Sequence, residues 1–283
     1  MALPPYTTPL ERVWFYTFRT ICGLIFFFLI APLVVIVPLS FNSVPYFTFT
    51  PEMLSLDPAG YSLRWYNDFF TNLNWQGAVK NSVIIAFFAT ILATALGTLA
   101  ALGLSRAHMP LRTTIMGLLI SPMIVPLIIS AAGMYFFYSK VGLQGSYLGV
   151  ILAHTALGTP FVVITVTATL VGFDHSLTRA AASLGSSPAH TFFKVIVPII
   201  LPGVISGALF AFVTSFDEVV VILFVASYEQ RTIPWQMFSG IREQISPTIL
   251  AVATILVCVS ILLLVATEML RRRGERLRGL TPA

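Results

Sequence analysis

Six long apolar stretches dominate the sequence and limit what the chain can fold into. Each holds about 20 mainly apolar residues, which is the length that a helix needs to cross the hydrocarbon core of a bilayer. A backbone in lipid must satisfy its own hydrogen bonds, and a continuous apolar run does so as a helix, whereas a barrel needs many short alternating strands. The sequence therefore predicts an all-α polytopic membrane protein with six transmembrane helices, at about residues 21–39, 79–104, 114–138, 147–173, 199–226 and 248–270.

The overall composition agrees with a membrane location. Of the 283 residues, 57% are hydrophobic and only 10% are charged, against about 25% charged residues in soluble domains. The net charge of +5 would also suit a nucleic-acid-binding protein. The Arg and Lys residues flank the apolar stretches, however, so we expect a lipid membrane as the partner and no nucleic acid.

The positive charges predict the orientation in the membrane. With both termini in the cytoplasm, 11 of the 16 Lys and Arg residues lie on the cytoplasmic side and 5 lie outside. Loops on the cytoplasmic side of membrane proteins carry such an excess. We therefore predict an N-in/C-in topology with a cytoplasmic N-terminal segment at residues 1–20, a six-helix transmembrane domain at 21–270 and a basic cytoplasmic tail at 271–283. The arginines of the tail are expected to attract anionic lipid headgroups.

A polar interlude, residues 174–198, separates the fourth and fifth apolar stretches. Its first part suits a helix, and Gly185 and Ser186 suit a turn. Ser187 is a good N-cap and Pro188 a good first helical residue, so a second short helix is predicted from 188 to about 196. Pro198 then marks the start of the next span. The interlude is either a surface offered to a soluble partner or an ordinary amphipathic connector.

Two adjacent acidic residues, Asp217 and Glu218, lie inside the fifth apolar stretch. A charge at the centre of a membrane helix costs about 2.5–3.5 kcal/mol on insertion scales, so such residues usually border water or pair with a cation. Neighbouring residues lie about 100° apart on a helix, so both can border one cavity. They are either part of a cation-favouring translocation path or a structural pair bonded to a neighbouring helix.

The interlude resembles the signature loop of bacterial ABC importer permeases, the binding-protein-dependent transport family. Ala180 and Ala181 match the two alanines of that pattern, Gly185 its glycine, and Pro198 the proline thirteen residues later, although Arg179 stands where the pattern has Glu. The resemblance implies a coupling helix that seats in a groove of a cytoplasmic ATPase. The coupling residues would be Arg179, Ala180, Ala181, Gly185, Ser186, Ser187, Pro188 and Pro198.

Other segments resemble the polyamine branch of this family, and most nearly the second permease subunit of spermidine/putrescine importers. They are SLRWYNDFF at residues 62–70, SPMIVPLIISAAGMYFFY at residues 121–138 within the third apolar stretch, and residues 216–256. The resemblance implies a type I importer architecture in a bacterial inner membrane and a small cationic solute as substrate. It also implies a second permease subunit, expected as a heterodimer with a second copy of this chain as the alternative, together with two copies of an ATPase and a periplasmic substrate-binding protein.

Several absences in the sequence narrow the function. There is no GxxxxGK[ST] phosphate loop, so ATP and Mg are expected on the partner ATPase, and this chain is expected to bind no cofactor and to be no enzyme. The four histidines, at 108, 154, 175 and 190, show no metal-ligand spacing, and His154 is expected to be a packing or hydrogen-bonding residue.

The alternatives to a polyamine importer are an importer of another nitrogenous solute or of an anion, and a stand-alone secondary transporter or channel. The latter class often shows inverted repeats, which are not detectable here.

Overall fold

A computed structural model describes residues 7–106, 109–174, 176–243 and 246–277. Within these ranges no β-strand is present, and one isolated antiparallel bridge joins Asn42 and Tyr61, so the all-α prediction is confirmed. The described residues form thirteen α-helices. They are α1 (Pro9–Leu39), α2 (Pro51–Leu54), α3 (Arg64–Thr71), α4 (Leu73–Leu104), α5 (Arg112–Ile124), α6 (Leu127–Val141), α7 (Tyr147–Val171), α8 (Ser176–Ser183), α9 (Pro188–Thr191), α10 (Val197–Phe216), α11 (Val220–Val225), α12 (Ile233–Glu243) and α13 (Thr248–Leu277).

Among the described residues, four helices are long and apolar enough to cross a membrane: α1, α4, α7 and a continuous helix from Pro188 to Phe216. The pair α5 and α6 makes a fifth crossing if it is counted as one span. In the sixth predicted stretch, α13 runs from Thr248 to Leu277, and Thr248–Leu262 is its apolar part among the residues whose side chains the structure describes. A multi-pass membrane protein is therefore confirmed, while the count of six and the orientation remain predictions. The ends of the predicted terminal segments, residues 1–6 and 278–283, lie outside the described residues.

The third predicted span consists of two helices rather than one. Helix α5 ends at Ile124, α6 begins at Leu127, and their axes differ by 101°. Val125 between them has an extended backbone, with φ −69° and ψ 133°. The cause is Pro126, whose ring disfavours helical geometry in the residue that precedes it.

The short helix predicted from 188 to 196 does not end before Pro198, so this prediction is wrong at its end. Helix α9 passes through a π-helical turn at Phe192–Ile196 into α10 without a break. Pro198 lies in the first turn of α10. A proline inside a helix removes one backbone hydrogen bond and crowds the preceding turn, and a π-helical turn is one way to absorb that crowding.

The chain divides into two compact units, Met1–Asn72 with Gly240–Ala283, and Leu73–Ser239. In the first unit, the segment between α1 and α3 is folded around Asn42, whose amide donates to the Tyr46 and Thr48 carbonyls. The Trp65 indole N–H donates to the Asn42 carbonyl over 2.6 Å. Asp68, also on α3, accepts a hydrogen bond from the Thr248 hydroxyl at the start of α13. These contacts give this polar segment a defined structure.

The second unit is centred on α7, which packs against both α4 and α10. Small residues spaced by four allow this approach, because helices without large side chains at the contact can come close together. On α4 they are Ala93, Gly97 and Ala101, all buried. On α10, Gly203 and Gly207 face α7. These small residues therefore lie at the close contacts of α4 and α10 with α7.

Replacing Gly207 with alanine should destabilise the second unit. A Cβ atom there would lie 2.5 Å from the Thr165 hydroxyl oxygen and 2.8 Å from the Val162 Cα, which is backbone and cannot move aside. Overpacking of this kind costs about 1–3 kcal/mol. We expect a lower midpoint temperature of thermal unfolding. It is measured by heating the detergent-purified protein and determining the fraction that stays folded by size-exclusion chromatography. Gly103→Ala is the matched control, because no atom of the described residues lies within 4 Å of its Cβ position. An equal loss in both variants would contradict the packing explanation.

Candidate functional site

The polar interlude presents α8 to solvent. The Asp174 carboxylate accepts hydrogen bonds from the Ser176 backbone N–H over 2.8 Å and from the Ser176 hydroxyl over 2.6 Å, which starts the helix. No residue of α8 is buried. Arg179 and Ala180 are exposed and Ala181 is half-buried, while His175 lies outside the described residues. The predicted coupling residues of α8 are thus available for contact with another molecule.

The turn after α8 depends on Gly185. Its φ is +81°, in the left-handed region that side chains disfavour. The Ser186 N–H donates to the Ala181 carbonyl and the Gly185 N–H to the Ala182 carbonyl, both over 3.0 Å. This pair of bonds is the Schellman motif that ends many helices at a glycine. Two positions of the sequence pattern, Ala181 and Gly185, therefore belong to one hydrogen-bonded turn.

The second half of the interlude begins as predicted at Ser187. The Ser187 hydroxyl accepts a hydrogen bond from the His190 N–H over 3.3 Å, and Pro188 is the first helical residue. The Thr191 hydroxyl donates to the Ser186 hydroxyl over 3.0 Å and ties α9 to the turn. Leu184 projects from the turn with 88% of its surface exposed. The result is a rigid turn with an apolar side chain at its tip.

The acidic residues lie at a break in the fifth predicted span, so their placement on one continuous helix was wrong. Helix α10 ends at Phe216, and the Asp217 N–H closes its last turn by donating to the Val213 carbonyl over 3.0 Å. Asp217 is exposed. Glu218 is buried, and its Oε1 accepts a hydrogen bond from the Val221 N–H over 2.9 Å at the start of α11. The two carboxylates therefore have different surroundings: one is open and one caps a helix.

The ends of the two helices at this break differ in charge. The last turn of α10 carries the partial negative charge of a helix C-terminus, and Asp217 adds a carboxylate beside it. The first turn of α11 would attract an anion with its free N–H groups, but Glu218 already accepts one of these bonds. The break is thus suited to a cation rather than to an anion.

Helix α11 is fixed on the far side of the break by an apolar core. Its buried residues Val221, Ile222 and Val225 pack in one cluster with residues of α6 and α7. Those partners include Ala131 and Tyr138 of α6, and Val150, Ala153 and Leu157 of α7. The second interrupted span, α5–α6, therefore contributes to holding the break in α10–α11.

A buried hydrogen bond joins α7 to the last turn of α10. His154 Nδ1 lies 2.8 Å from the Ser215 Oγ, and both side chains are buried. The expectation that His154 packs or forms a hydrogen bond is confirmed. The sequence offered no way to identify Ser215 as its partner, because the two residues are 61 positions apart. In the part of the chain that the structure describes, no three His, Cys, Asp or Glu side chains lie together as metal ligands.

Sequence reasoning missed a network that holds the segment after α11. The Asn81 amide on α4 donates to the Glu229 and Arg231 carbonyls over 2.7 and 2.9 Å, and the Tyr147 hydroxyl donates to Asn81 Oδ1 over 2.8 Å. The Arg231 guanidinium lies 3.3 Å from the centre of the Tyr228 ring. One signal was present in the sequence, since Ser227 and Gln230 have the spacing of a capping box. Gln230 Oε1 accepts hydrogen bonds from the Ser227 N–H over 3.0 Å and from the Ser227 hydroxyl over 2.6 Å.

Comparison with known proteins gives three concordant matches. Residues 93–276 match the family described as the binding-protein-dependent transport system inner membrane component. The chain is 33% identical over 251 residues to the spermidine/putrescine transport system permease protein PotC of Haemophilus influenzae, covering 89% of this chain and 95% of that protein. It is 32% identical over 238 residues to the putrescine transport system permease protein PotI of Escherichia coli K12, covering 82% of each.

The fold is also similar to that of a solved structure. A chain in the crystal structure of a bacterial ABC transporter involved in the import of the acidic polysaccharide alginate superposes with a TM-score of 0.69. The match covers 95% of this chain and 99% of that chain, at 13% sequence identity. At this identity the likeness concerns the fold alone.

Proposed function

Because the chain belongs to the family of binding-protein-dependent transport system inner membrane components, the permeases of ABC importers, we propose that it carries a polyamine such as spermidine or putrescine across the bacterial inner membrane. The observation that carries the substrate class is the acidic break between α10 and α11. There Asp217 is exposed beside the C-terminal end of a helix, and Glu218 occupies the N-terminal end of the next one. A polyamine carries two or more positive charges, which this arrangement stabilises.

The relatives support this substrate, and the geometry disfavours the anionic alternative. The relative of 33% identity is named as a permease for spermidine and putrescine, and the relative of 32% identity as a permease for putrescine. An anion path would need free N–H groups or cations at the break, and the first turn of α11 is capped by Glu218. Other nitrogenous cations remain compatible with the same acidic pair. We therefore place the polyamine first.

The proposed assembly follows from the family. Residues 21–270 form the permease domain with six spans, both termini in the cytoplasm, and α13 as the sixth span. A second permease subunit, different from this one, completes the translocation path. Two copies of an ATPase bind ATP and Mg below the membrane, and a periplasmic binding protein delivers the substrate above it. The surface made by α8, the Gly185 turn and α9, together with the start of α10, couples to the ATPase through Arg179, Ala180, Ala181, Gly185, Ser186, Ser187, Pro188 and Pro198.

The continuous helix from Pro188 to Phe216 supplies a physical link between the two proposed sites. Its first residues belong to the coupling surface, and the residue after its last one is Asp217. A helix of 29 residues is about 43 Å long at 1.5 Å per residue. A displacement of the turn by the ATPase therefore moves the end of α10 and the acidic break with it. Pro198 and the π-helical turn lie near the start of this helix, where a bend is easiest to accommodate.

Reconstitution tests the proposed function. The chain is coexpressed with its partner permease, ATPase and binding protein, and the purified complex is placed in liposomes. We expect uptake of labelled putrescine and spermidine that requires both ATP and the binding protein. An excess of unlabelled polyamine should suppress this uptake, whereas molybdate should not. Uptake by this chain alone without ATP would instead support a secondary transporter or channel. Uptake of an anion in preference to polyamines would reject the proposed substrate.

A further inference from the structure

A polar contact lies immediately before the acidic break and has no part in the functions assigned so far. His154 of α7 is 1% exposed and Ser215 of α10 is 4% exposed, and their side chains meet over 2.8 Å. Ser215 precedes Asp217 by two residues and Glu218 by three. We propose that His154 is a positioning residue for the translocation path, which fixes the end of α10 on α7 and thereby sets where the two carboxylates stand. This inference rests on the proposed function.

The rest of the contact between α7 and α10 consists of small residues in close approach. Going along α10, a Cβ on Gly203 would meet Thr169, a Cβ on Gly207 would meet Thr165 and Val162, and Gly158 lies against Ala211. These contacts bring the helices together but have little directional preference. A hydrogen bond requires a particular distance and angle. The bond of His154 to Ser215, one turn beyond Ala211, therefore fixes the rotation of α10 at its end.

Helix α7 holds both sides of the break. His154 bonds to the last turn of α10, while Val150, Ala153 and Leu157 on the same stretch of α7 pack with α11. Glu218 caps α11 and so moves with it. A slip of α10 by one residue would rotate its end by about 100° and shift it by about 1.5 Å relative to α11. His154 opposes such a slip at the C-terminal end of α10, which Asp217 directly follows.

The histidine is a costly residue for a purely structural role. Its other ring nitrogen, Nε2, is buried and has no hydrogen-bond partner within the described ranges of the chain. An unpaired buried polar atom destabilises the fold, and an apolar side chain of similar size would avoid that cost. A serine left without its partner can bond to the carbonyl four residues earlier in its helix. Removal of the imidazole should therefore leave stability equal or higher while impairing transport.

The test uses the complete reconstituted complex with three single variants, His154→Leu, His154→Asn and Ser215→Ala. We expect His154→Leu and Ser215→Ala to lower the uptake rate at saturating loaded binding protein by about three- to tenfold, the range spanned by a neutral hydrogen bond. The KM for the loaded binding protein and the thermal midpoint should not worsen. Asparagine places a polar amide close to the position of Nδ1, so His154→Asn should retain most of the rate.

A double variant and the wild-type complex separate the possible failures. Because both changes remove the same contact, the double variant His154→Leu/Ser215→Ala should be no slower than the slower single variant. Three outcomes would each overturn the positioning role. The first is a wild-type uptake rate in both His154→Leu and Ser215→Ala, and the second is additive losses of rate in the double variant. The third is a His154→Asn variant that is as slow as His154→Leu although its thermal midpoint is normal. Absence of polyamine uptake in the wild-type complex would instead reject the proposed function itself.

Discussion

Gly185→Val is expected to abolish most ATP-driven uptake while leaving the membrane helices folded. The glycine has a φ of +81°, and a valine Cβ placed there meets no atom within 4 Å. The effect is therefore conformational, since a left-handed backbone costs a residue with a side chain about 1–2 kcal/mol. A penalty of that size changes the occupancy of the turn roughly 5- to 30-fold. The turn would then no longer hold α8 and α9 in the arrangement that the ATPase is proposed to bind.

Two further variants distinguish a defect in coupling from a defect in folding. Gly142 also has a left-handed backbone, with φ +74° and an open Cβ position, but it ends α6 away from the interlude. Gly142→Val should carry a similar conformational cost and preserve substrate-stimulated ATP hydrolysis. Gly185→Asn should retain activity, because asparagine tolerates the left-handed region. Uptake and substrate-stimulated ATPase activity that both survive in Gly185→Val would reject the coupling role of this turn.

The interlude was predictable because its structure is determined by residues close together in the sequence. The glycine that ends α8, the Ser187 cap and the first-turn Pro188 all act within a few positions. The prediction was wrong where local rules conflict with a longer helix, as at Pro198, which a π-helical turn accommodates. A proline indicates a distortion in a helix, but the preceding turns decide whether the helix continues.

The break between α10 and α11 was harder to predict because hydropathy is nearly uniform across it. Residues 199–226 read as one apolar stretch, and Asp217 and Glu218 appeared as an expensive pair inside it. In the structure the helix stops at Phe216, so Glu218 caps the next helix and Asp217 is exposed. On either side of this stop the chain contacts α7, through the bond of His154 to Ser215 and the packing of α11. Contacts between residues so far apart in sequence leave no local pattern.

Neutralising the acidic break is expected to slow polyamine uptake strongly. A hydrogen bond to a charged group is worth about 1.5–3 kcal/mol, and 1.4 kcal/mol corresponds to a tenfold change. We expect Asp217→Asn to lower the rate at saturating binding protein about tenfold, and the double variant Asp217→Asn/Glu218→Gln to lower it further. Asp217→Glu should retain most of the rate because it keeps the charge. The measurement is initial uptake of labelled putrescine by the complete reconstituted complex.

The cap made by Glu218 allows its charge and its structural role to be separated. Glutamine keeps a side-chain oxygen that can accept the hydrogen bond from the Val221 N–H, whereas alanine removes the acceptor. If the carboxylate acts on the substrate, Glu218→Gln should lower the uptake rate while its thermal midpoint stays normal. If the carboxylate is only a helix cap, Glu218→Gln should transport at the normal rate, and Glu218→Ala should be less stable by about 0.5–2 kcal/mol. Glu52→Gln, an exposed acid at the start of α2, controls for the loss of one negative charge. Unchanged uptake in Asp217→Asn and in the double variant, with normal protein levels, would remove both carboxylates from the path and leave the α10–α11 break as a structural feature alone.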